Sequence, residues 1–439
     1  MWISASDIPA SGDFWLTGAR VPVALAVRAL PDVDGLAACD LKISGDRVAA
    51  IEPAGEAKRG GATIDLDGGM VWPCFVDLHT HIDKGHIWPR KANANGTFEG
   101  ALEAVGEDRA ANWSAEDVAA RMDFSLRCAY AHGTKFLRTH LDSVDGQADI
   151  SWPVFDEMRR RWRGRIDLQA AALFGIDRAV DADFMREIGD ILGRYDGILG
   201  AVTYMIPELD PGLDAIFRLA VDKGFNLDFH ADETADADAR SLAVIAEKVL
   251  AHGFQGSVAV GHCCSLSRQA DDEARRTLDL VAEAGLTIIS LPMCNMYLQG
   301  REAGCTPRWR GVTLLHEMRA RDIPVVVASD NTRDPFYAYG DLDMVEVYRE
   351  ATRIAQLDHP VSDWPTAVSA TPANAAGRHD LGRIAPGSSA DVVLFGARTW
   401  TEFMARPQSD RIVLRQGRPI ETVLPDYREL DDILNRREG

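Results

Sequence analysis

Eight short apolar runs, each followed by a longer helix-like stretch, set the narrowest limit on what this chain can fold into. The first carries Phe75-Val76-Asp77-Leu78-His79. The others span residues 135–140, 167–174, 198–204, 226–230, 257–262, 287–291 and 324–330. Runs of this length, bounded by turn residues, suit buried strands. The segments between them, such as 115–131 and 236–252, have the apolar spacing of amphipathic helices. Repeated β-then-α units predict an α/β fold, a (β/α)8 TIM barrel over residues 72–380. Its chemistry is expected at the C-terminal ends of the strands.

The flanks follow a different pattern. Phe14-Trp15-Leu16-Thr17, Asp40-Leu41-Lys42-Ile43 and Arg47-Val48-Ala49-Ala50-Ile51 are short strand-like runs punctuated by turns such as Gly45-Asp46. The pattern returns after Pro386-Gly387, in Ala390-Asp391-Val392-Val393-Leu394-Phe395 and Arg411-Ile412-Val413-Leu414-Arg415. Residues 1–71 and 381–439 are therefore expected to join as one small flanking β-sandwich domain built from both termini. The apolar run from Gly68 to Pro73 is expected to be a buried strand leading into the first barrel strand. The charged end, residues 426–439, is expected to be a surface helix or a frayed tail.

Composition closes off several classes. Of 439 residues, 67 are acidic and 47 basic, for a formal net charge of -20. A nucleic-acid binder needs a basic face, so that partner is not expected. Seven cysteines without a C-x-x-C argue against a disulfide framework and fit a reducing compartment. The N-terminal stretch lacks a basic region before an apolar core. No run reaches the ~18 apolar residues of a membrane helix. A cytoplasmic protein without membrane attachment is expected.

Polar residues at the strand ends carry the functional signal. His79 and His81 alternate onto one strand face. His140, His230, His262 and Asp330 close the second, fifth, sixth and eighth runs. Imidazoles and a carboxylate converging on one barrel mouth make a mononuclear catalytic metal site, with a position left open for chemistry. Glu233 lies three residues after His230, close enough to move protons between water and a leaving group. His262 is open to three readings, as a ligand, a charge stabiliser or a core histidine, of which the stabiliser is favoured. His140 divides between support of the ligands and a structural role. Asp83, Lys84 and His86 fall in the loop after the first strand with no role assigned. Cys263-Cys264 lacks a second base and is read as packing.

These residues also resemble a known family. His79-Thr80-His81-Ile82-Asp83, Arg138-Thr139-His140-Leu141-Asp142, His230-Ala231-Asp232-Glu233 and Asp330 followed by Asp334-Pro335-Phe336-Tyr337 are similar to motifs of the amidohydrolase superfamily. Within it they are similar to those of bacterial cytosine deaminase and its relatives. The segments Asn295-Met296-Tyr297-Leu298-Gln299-Gly300-Arg301 and Arg310-Gly311-Val312-Thr313 extend the likeness. The resemblance implies one divalent ion, zinc or iron, held by His79, His81, His230 and Asp330. It implies Glu233 as proton shuttle, His262 as stabiliser of developing charge, and Asp330 as acceptor of a second proton. It also implies a homo-oligomer.

The chain departs from that pattern in the pocket. The third-strand stretch Leu173-Phe174-Gly175-Ile176 lacks the family's amide-reading Gln. Asn331 replaces an Asp, and Phe336 stands in place of a stacking Trp. Phe174, Gly175, Asn331 and Phe336 are thus the candidate substrate contacts. Loss of a carboxylate at Asn331 would admit a C5 methyl, which favours cytosine or 5-methylcytosine as substrate. The alternatives are a cyclic amide hydrolase, or a deaminase of another heterocycle such as isoguanine or a pterin. Residues 198–204 lack the Lys that bridges two metals in such amide hydrolases. A catalytically silent binding protein is the reading from another class, and retention of Glu233 beside a full ligand set counts against it.

Overall fold

The computed structural model describes residues 2–10, 12–56, 60–144 and 146–435. The chain divides into two compact units. One gathers Met1–Asp77, Arg127–Phe136 and Leu342–Pro425; the other gathers Leu78–Leu126, Leu137–Asp341 and Asp426–Gly439.

Eight strands carry the ends on which the site is built: β1 (Phe75–Thr80), β2 (Thr134–Asp142), β3 (Asp167–Leu173), β4 (Leu199–Thr203), β5 (Leu227–Ala231), β6 (Val258–His262), β7 (Thr287–Ser290) and β8 (Val325–Val327). β1, β2 and β3 form one sheet in that order, and β4 to β8 form a second, parallel sheet in chain order. Parallel bridges Ala171↔Ile198 and Gly175↔Val202 link β3 with β4. A third, Thr80↔Asp330, links β1 with the segment after β8. Every residue of β1 and β2 is buried, as expected of parallel strands covered on both faces. The register pairs His230 with Gly261 and Ala231 with His262, so functional side chains finish at one level. Gly261 is required there: a Cβ would stand 2.9 Å from Cε1 of His79.

Helices between the strands follow from ordinary local signals. Ala182–Tyr195 begins where the Asp181 carboxylate accepts from the backbone N–H groups of Asp183 and Phe184. It buries Phe184, Ile188 and Leu192, and stops at Asp196 in the left-handed region. The helix expected over 236–252 starts only at Ser241, and this is a correction. The Asp232 carboxylate accepts from the backbone N–H groups of Ser241 and Leu242, at 2.8 and 2.9 Å, which sets the start and leaves residues 234–240 as loop.

The run ahead of the histidines, Met70–Pro73, is the buried strand expected there, one residue before β1. It is a strand of the small sheet, antiparallel to Val392–Phe395 with Trp72 opposite Val393. That sheet has nine strands contributed by both ends of the chain. Its buried cluster includes Phe14, Leu16, Leu41, Ile43, Val71, Val392, Leu394 and Leu414. The helix Met344–Ala355 belongs to the same unit. At the C-terminus, Tyr427–Leu430 is a 3-10 turn and Asp431–Leu434 a short helix; residues 436–439 of the expected tail lie outside the described residues. Among the described residues no helix is long and apolar enough to cross a membrane.

Candidate metal centre and active site

His79 and His81 stand two residues apart at the end of β1, His230 at the end of β5, and Asp330 three residues after β8. Nε2 of His81 is 3.2 Å from Nε2 of His230. Oδ1 of Asp330 is 3.4 Å from Nε2 of His81 and 3.6 Å from Nε2 of His79. Arms of ~2.0–2.1 Å in a tetrahedral zinc site place neighbouring ligand atoms about 3.4 Å apart. The protein spacing meets that figure. All four side chains are buried. Both ring nitrogens of His79, and Nδ1 of His81 and of His230, find no hydrogen-bond partner among the described residues. Burying acceptor atoms face to face is costly unless a cation lies between them. The donor set therefore fits a divalent metal.

The electrostatics agree. Burial first, and then the neighbouring imidazoles, hold His79 and His230 well below the usual histidine range. Burial and then the Lys84 ammonium do the same to His81. Neutral imidazole is the form that binds metal.

His140 joins this cluster. Its ring centre lies 4.1 Å from that of His79 and 4.6 Å from that of His230. Its donor atoms group with those of His79, His81 and His230 within 4.8 Å. Nε2 of His140 is 3.2 Å from Oδ1 of Asp228, whose other oxygen takes a 2.8 Å bond from Arg138. His262 groups in turn with His79 and Asp330.

Glu233 and His262 share one partner that sequence reasoning left without a role. Nδ2 of Asn295 lies 3.1 Å from Oε1 of Glu233 and 3.0 Å from Nδ1 of His262. Gln299 adds a bond from its side-chain amide to the Glu233 carbonyl. Burial, and then the charge of Asp330, push Glu233 well above the carboxylate range. The backbone is left-handed at Asp232 (φ 54°), His262 (φ 70°), Cys263 (φ 52°) and Asp330 (φ 64°). Strain of this kind gathers where side chains must be aimed. Asn295 could have been found from position: its short helix, Pro292–Leu298, follows directly on the end of β7.

A cavity of about 200 Å³ opens beside these groups. His81, His230, Glu233, His262 and Asp330 line it, and so do Phe174, Gly175, Asn331 and Phe336. A wider cavity of about 670 Å³ shares Phe98, Val202, Tyr204, His230 and Glu233 with it. Asn331 does not present a free amide: its Nδ2 donates to Oδ2 of the buried Asp334 at 2.7 Å. Arg109 and Asp142, unassigned in the sequence, also line the inner cavity. Asp142 takes one 2.8 Å bond from Lys84 and one from Arg109. Asp83 accepts from the Asp142 backbone N–H, and burial together with Asp142 pushes its carboxyl up. His86 turns away toward Phe124, 4.8 Å between ring centres. Burial raises the Cys263 and Cys264 thiols well above the usual range, which removes them as nucleophiles.

Comparison with known proteins defines the class. The amidohydrolase family (Amidohydro_3) matches residues 62–173 and 155–421. The chain belongs to that family, and is a hydrolase acting on C–N bonds other than peptide bonds. It is 54% identical, over 97% of its length and 98% of the relative's, to a pterin deaminase of Rhizobium rhizogenes. It is 26% identical to the N-isopropylammelide isopropyl amidohydrolase of a Pseudomonas strain, over 70% of this chain and 74% of that protein. Among solved structures, 5-methylcytosine deaminase from Klebsiella pneumoniae, liganded with 5-fluorocytosine, superimposes with a TM-score of 0.80. That match is 22% identical and covers 93% of this chain and 97% of the other.

Proposed function

We propose that this protein is a metal-dependent deaminase of a pterin-type heterocycle, replacing a ring amino group by oxygen and releasing ammonia. One observation carries the substrate: 54% identity to a pterin deaminase along almost the whole of both chains. Cytosine and 5-methylcytosine, the first expectation, have a likeness of fold alone behind them, at 22% identity. The shared wall of the inner and outer cavities supports the same choice, since a fused bicyclic ring needs more room than a pyrimidine.

In this reading His79, His81, His230 and Asp330 hold one divalent ion, zinc or iron. The ion, when bound, lowers the pKa of water enough to supply a nucleophile at neutral pH. The chain's own groups do the rest. Glu233 takes a proton from the attacking water and delivers it to the ring nitrogen beside the amino-bearing carbon. His262 donates a hydrogen bond to the oxygen that gains charge. Asp330 takes the second proton and passes it to the departing amine. Water adds, one C–N bond breaks, and ammonia and the oxo-heterocycle leave. Phe174, Gly175, Asn331 and Phe336 form the walls against the ring.

The architecture belongs to the same proposal. The bridges at both seams support one closed (β/α)8 barrel over residues 72–380, with a small flanking β-sandwich from residues 1–71 and 381–439. The partners are a small heterocycle and further copies of this chain, without nucleic acid or membrane. The compartment is the cytoplasm.

Side-by-side kinetics on pterin, isoguanine, cytosine and 5-methylcytosine test the substrate. kcat/KM for pterin is expected to exceed that for either pyrimidine by about 10²-fold or more, as for sites that read one ring system by hydrogen bonds. Turnover of a pyrimidine alone would overturn the pterin and leave the deaminase standing. Ring opening without ammonia would overturn the deaminase.

A further inference from the structure

Asn295 is fully buried, and its amide nitrogen lies within hydrogen-bond distance of two acceptors at once. The three atoms form a small triangle. Nδ2 of Asn295 is 3.1 Å from Oε1 of Glu233 and 3.0 Å from Nδ1 of His262, and those two are 3.3 Å apart. The amide could in principle face them with either end. With its oxygen inward, that oxygen would stand 3.1 Å from a carboxylate oxygen, acceptor against acceptor. Glu233, in the ionised form that the proposed proton transfer requires, selects the nitrogen. The opposite end, Oδ1, is buried without a hydrogen-bond partner among the described residues, a cost the fold carries to keep the nitrogen where it is.

An amide nitrogen has two protons. One goes to Glu233, and the other goes to Nδ1 of His262, which must then be an acceptor. A neutral imidazole that accepts at Nδ1 carries its proton on Nε2. Nε2 of His262 has no hydrogen-bond partner among the described residues, and the ring lines the inner cavity. We infer that Asn295 is the positioning residue that sets the resting tautomer of His262, so that the imidazole offers its N–H to the substrate rather than to Glu233. The amide also keeps Glu233 from taking the His262 proton for itself across 3.3 Å, which would spend the acceptor and the donor on each other.

The scaffold fixes the amide as firmly as the ring. The Asn295 backbone N–H donates to Leu291 at 2.9 Å, and its carbonyl accepts from Gln299 at 2.8 Å. His262 is held by its own left-handed backbone, φ 70°.

The inference rests on the proposed roles of Glu233 and His262, and its test separates the two. Zinc-loaded protein labelled with 15N in its histidines is examined by long-range 1H–15N correlation, with His262→Gln assigning the signal. The wild-type protein is expected to show the His262 proton on Nε2. In Asn295→Asp a carboxylate replaces the donor, the proton moves to Nδ1, and kcat falls by about 10²-fold or more, the usual loss for one oxyanion donor. KM and zinc content stay within a few-fold of wild type. A proton on Nδ1 in the wild type would overturn the inference, whatever the variants do. So would an Asn295→Asp protein that keeps both the Nε2 proton and its kcat. Near-normal turnover in Glu233→Gln would instead overturn the reading of the reaction, and leaves the tautomer measurement untouched.

Discussion

Two buried polar clusters, one in each unit, solve the same problem in opposite ways. In the small-sheet unit, Arg411 meets Asp343 through two 2.6 Å bonds and spends its remaining donors on backbone carbonyls, among them that of Gln408. Burial alone would raise the Asp343 carboxyl, but the Arg411 charge holds it below the usual range. That pair is complete within the protein. In the other unit the imidazoles of His81 and His230 meet ring to ring at 3.2 Å, and both nitrogens of His79 lack a hydrogen-bond partner among the described residues. The first cluster closes on itself, and the second is a set of donors that could hold a metal ion. A buried polar group is informative in proportion to what it lacks.

The largest effect should come from stripping the second cluster. Chelation is expected to abolish turnover, and one equivalent of zinc or iron per chain should restore it. A requirement for two equivalents, by metal analysis against activity, would break the single-site reading. The Arg411–Asp343 pair is satisfied without an ion, so its contribution to stability should respond to the chelator far less.

Next in size is Glu233→Gln. It keeps the shape and the Asn295 contact but cannot take a proton. kcat should fall by about 10²–10⁴-fold, with the metal retained. Steady-state kinetics and metal content on one sample check both halves.

The converse experiment belongs to the other cluster. Asp343→Ala leaves Arg411 buried without its carboxylate and removes the cap that accepts from the Val345 N–H. The expected loss of stability is about 3–5 kcal/mol. Trp72→Ala should cost a similar ~3–5 kcal/mol, since Trp72 is fully buried and stacks on Phe403 with centroids 5.1 Å apart. In both variants kcat of the folded fraction should stay within about two-fold of wild type. Denaturant melts beside kinetics at low temperature decide it, and a kcat loss matching that of Glu233→Gln would erase the contrast between the clusters.

The two clusters also differ in how far the sequence announces them. His79, His81, His230 and Asp330 were legible because strand periodicity and a rule about strand ends place them without any tertiary knowledge. For Met70–Pro73 the same periodicity reads a buried strand but not its partner: an apolar run looks alike whatever it pairs with, here Val392–Phe395, more than three hundred residues away. Asn295 was seen as a motif but had no role, because its meaning lies in two partners, 62 and 33 residues distant. Arg109 was unseen because a helix surface gives no hint of the Asp142 it reaches. Asn331 is read from the sequence as an uncharged wall that admits a methyl, and its bond to Asp334, three residues later, is invisible at that level. Periodicity shows where a side chain starts, and only packing shows what it meets.

The smallest expected effect sharpens the comparison at the edge of the site. Tyr427, in the C-terminal segment, stacks on Phe124 with ring centres 5.5 Å apart. The Arg333 guanidinium lies 4.1 Å over its ring, and its hydroxyl donates to Asp341 at 3.1 Å. Arg333 and Asp341 bracket the loop that carries Asp334, Phe336 and Tyr337, starting three residues beyond the candidate ligand Asp330. Main-chain bonds tie that loop to the one after β1, from His86 N–H to Thr332 and from Trp88 N–H to Arg333. Tyr427 therefore braces one wall of the cavity without touching what the cavity holds. An aromatic contact of this kind contributes about 0.5–1.5 kcal/mol, too little to unfold the unit. Tyr427→Ala should raise KM by a few-fold, about what that energy allows, and leave kcat and metal content unchanged. Tyr427→Phe should restore most of the loss, since the ring contacts outnumber the single hydroxyl bond. If Tyr427→Ala lowers kcat instead, the segment acts on the reacting groups and not on the wall.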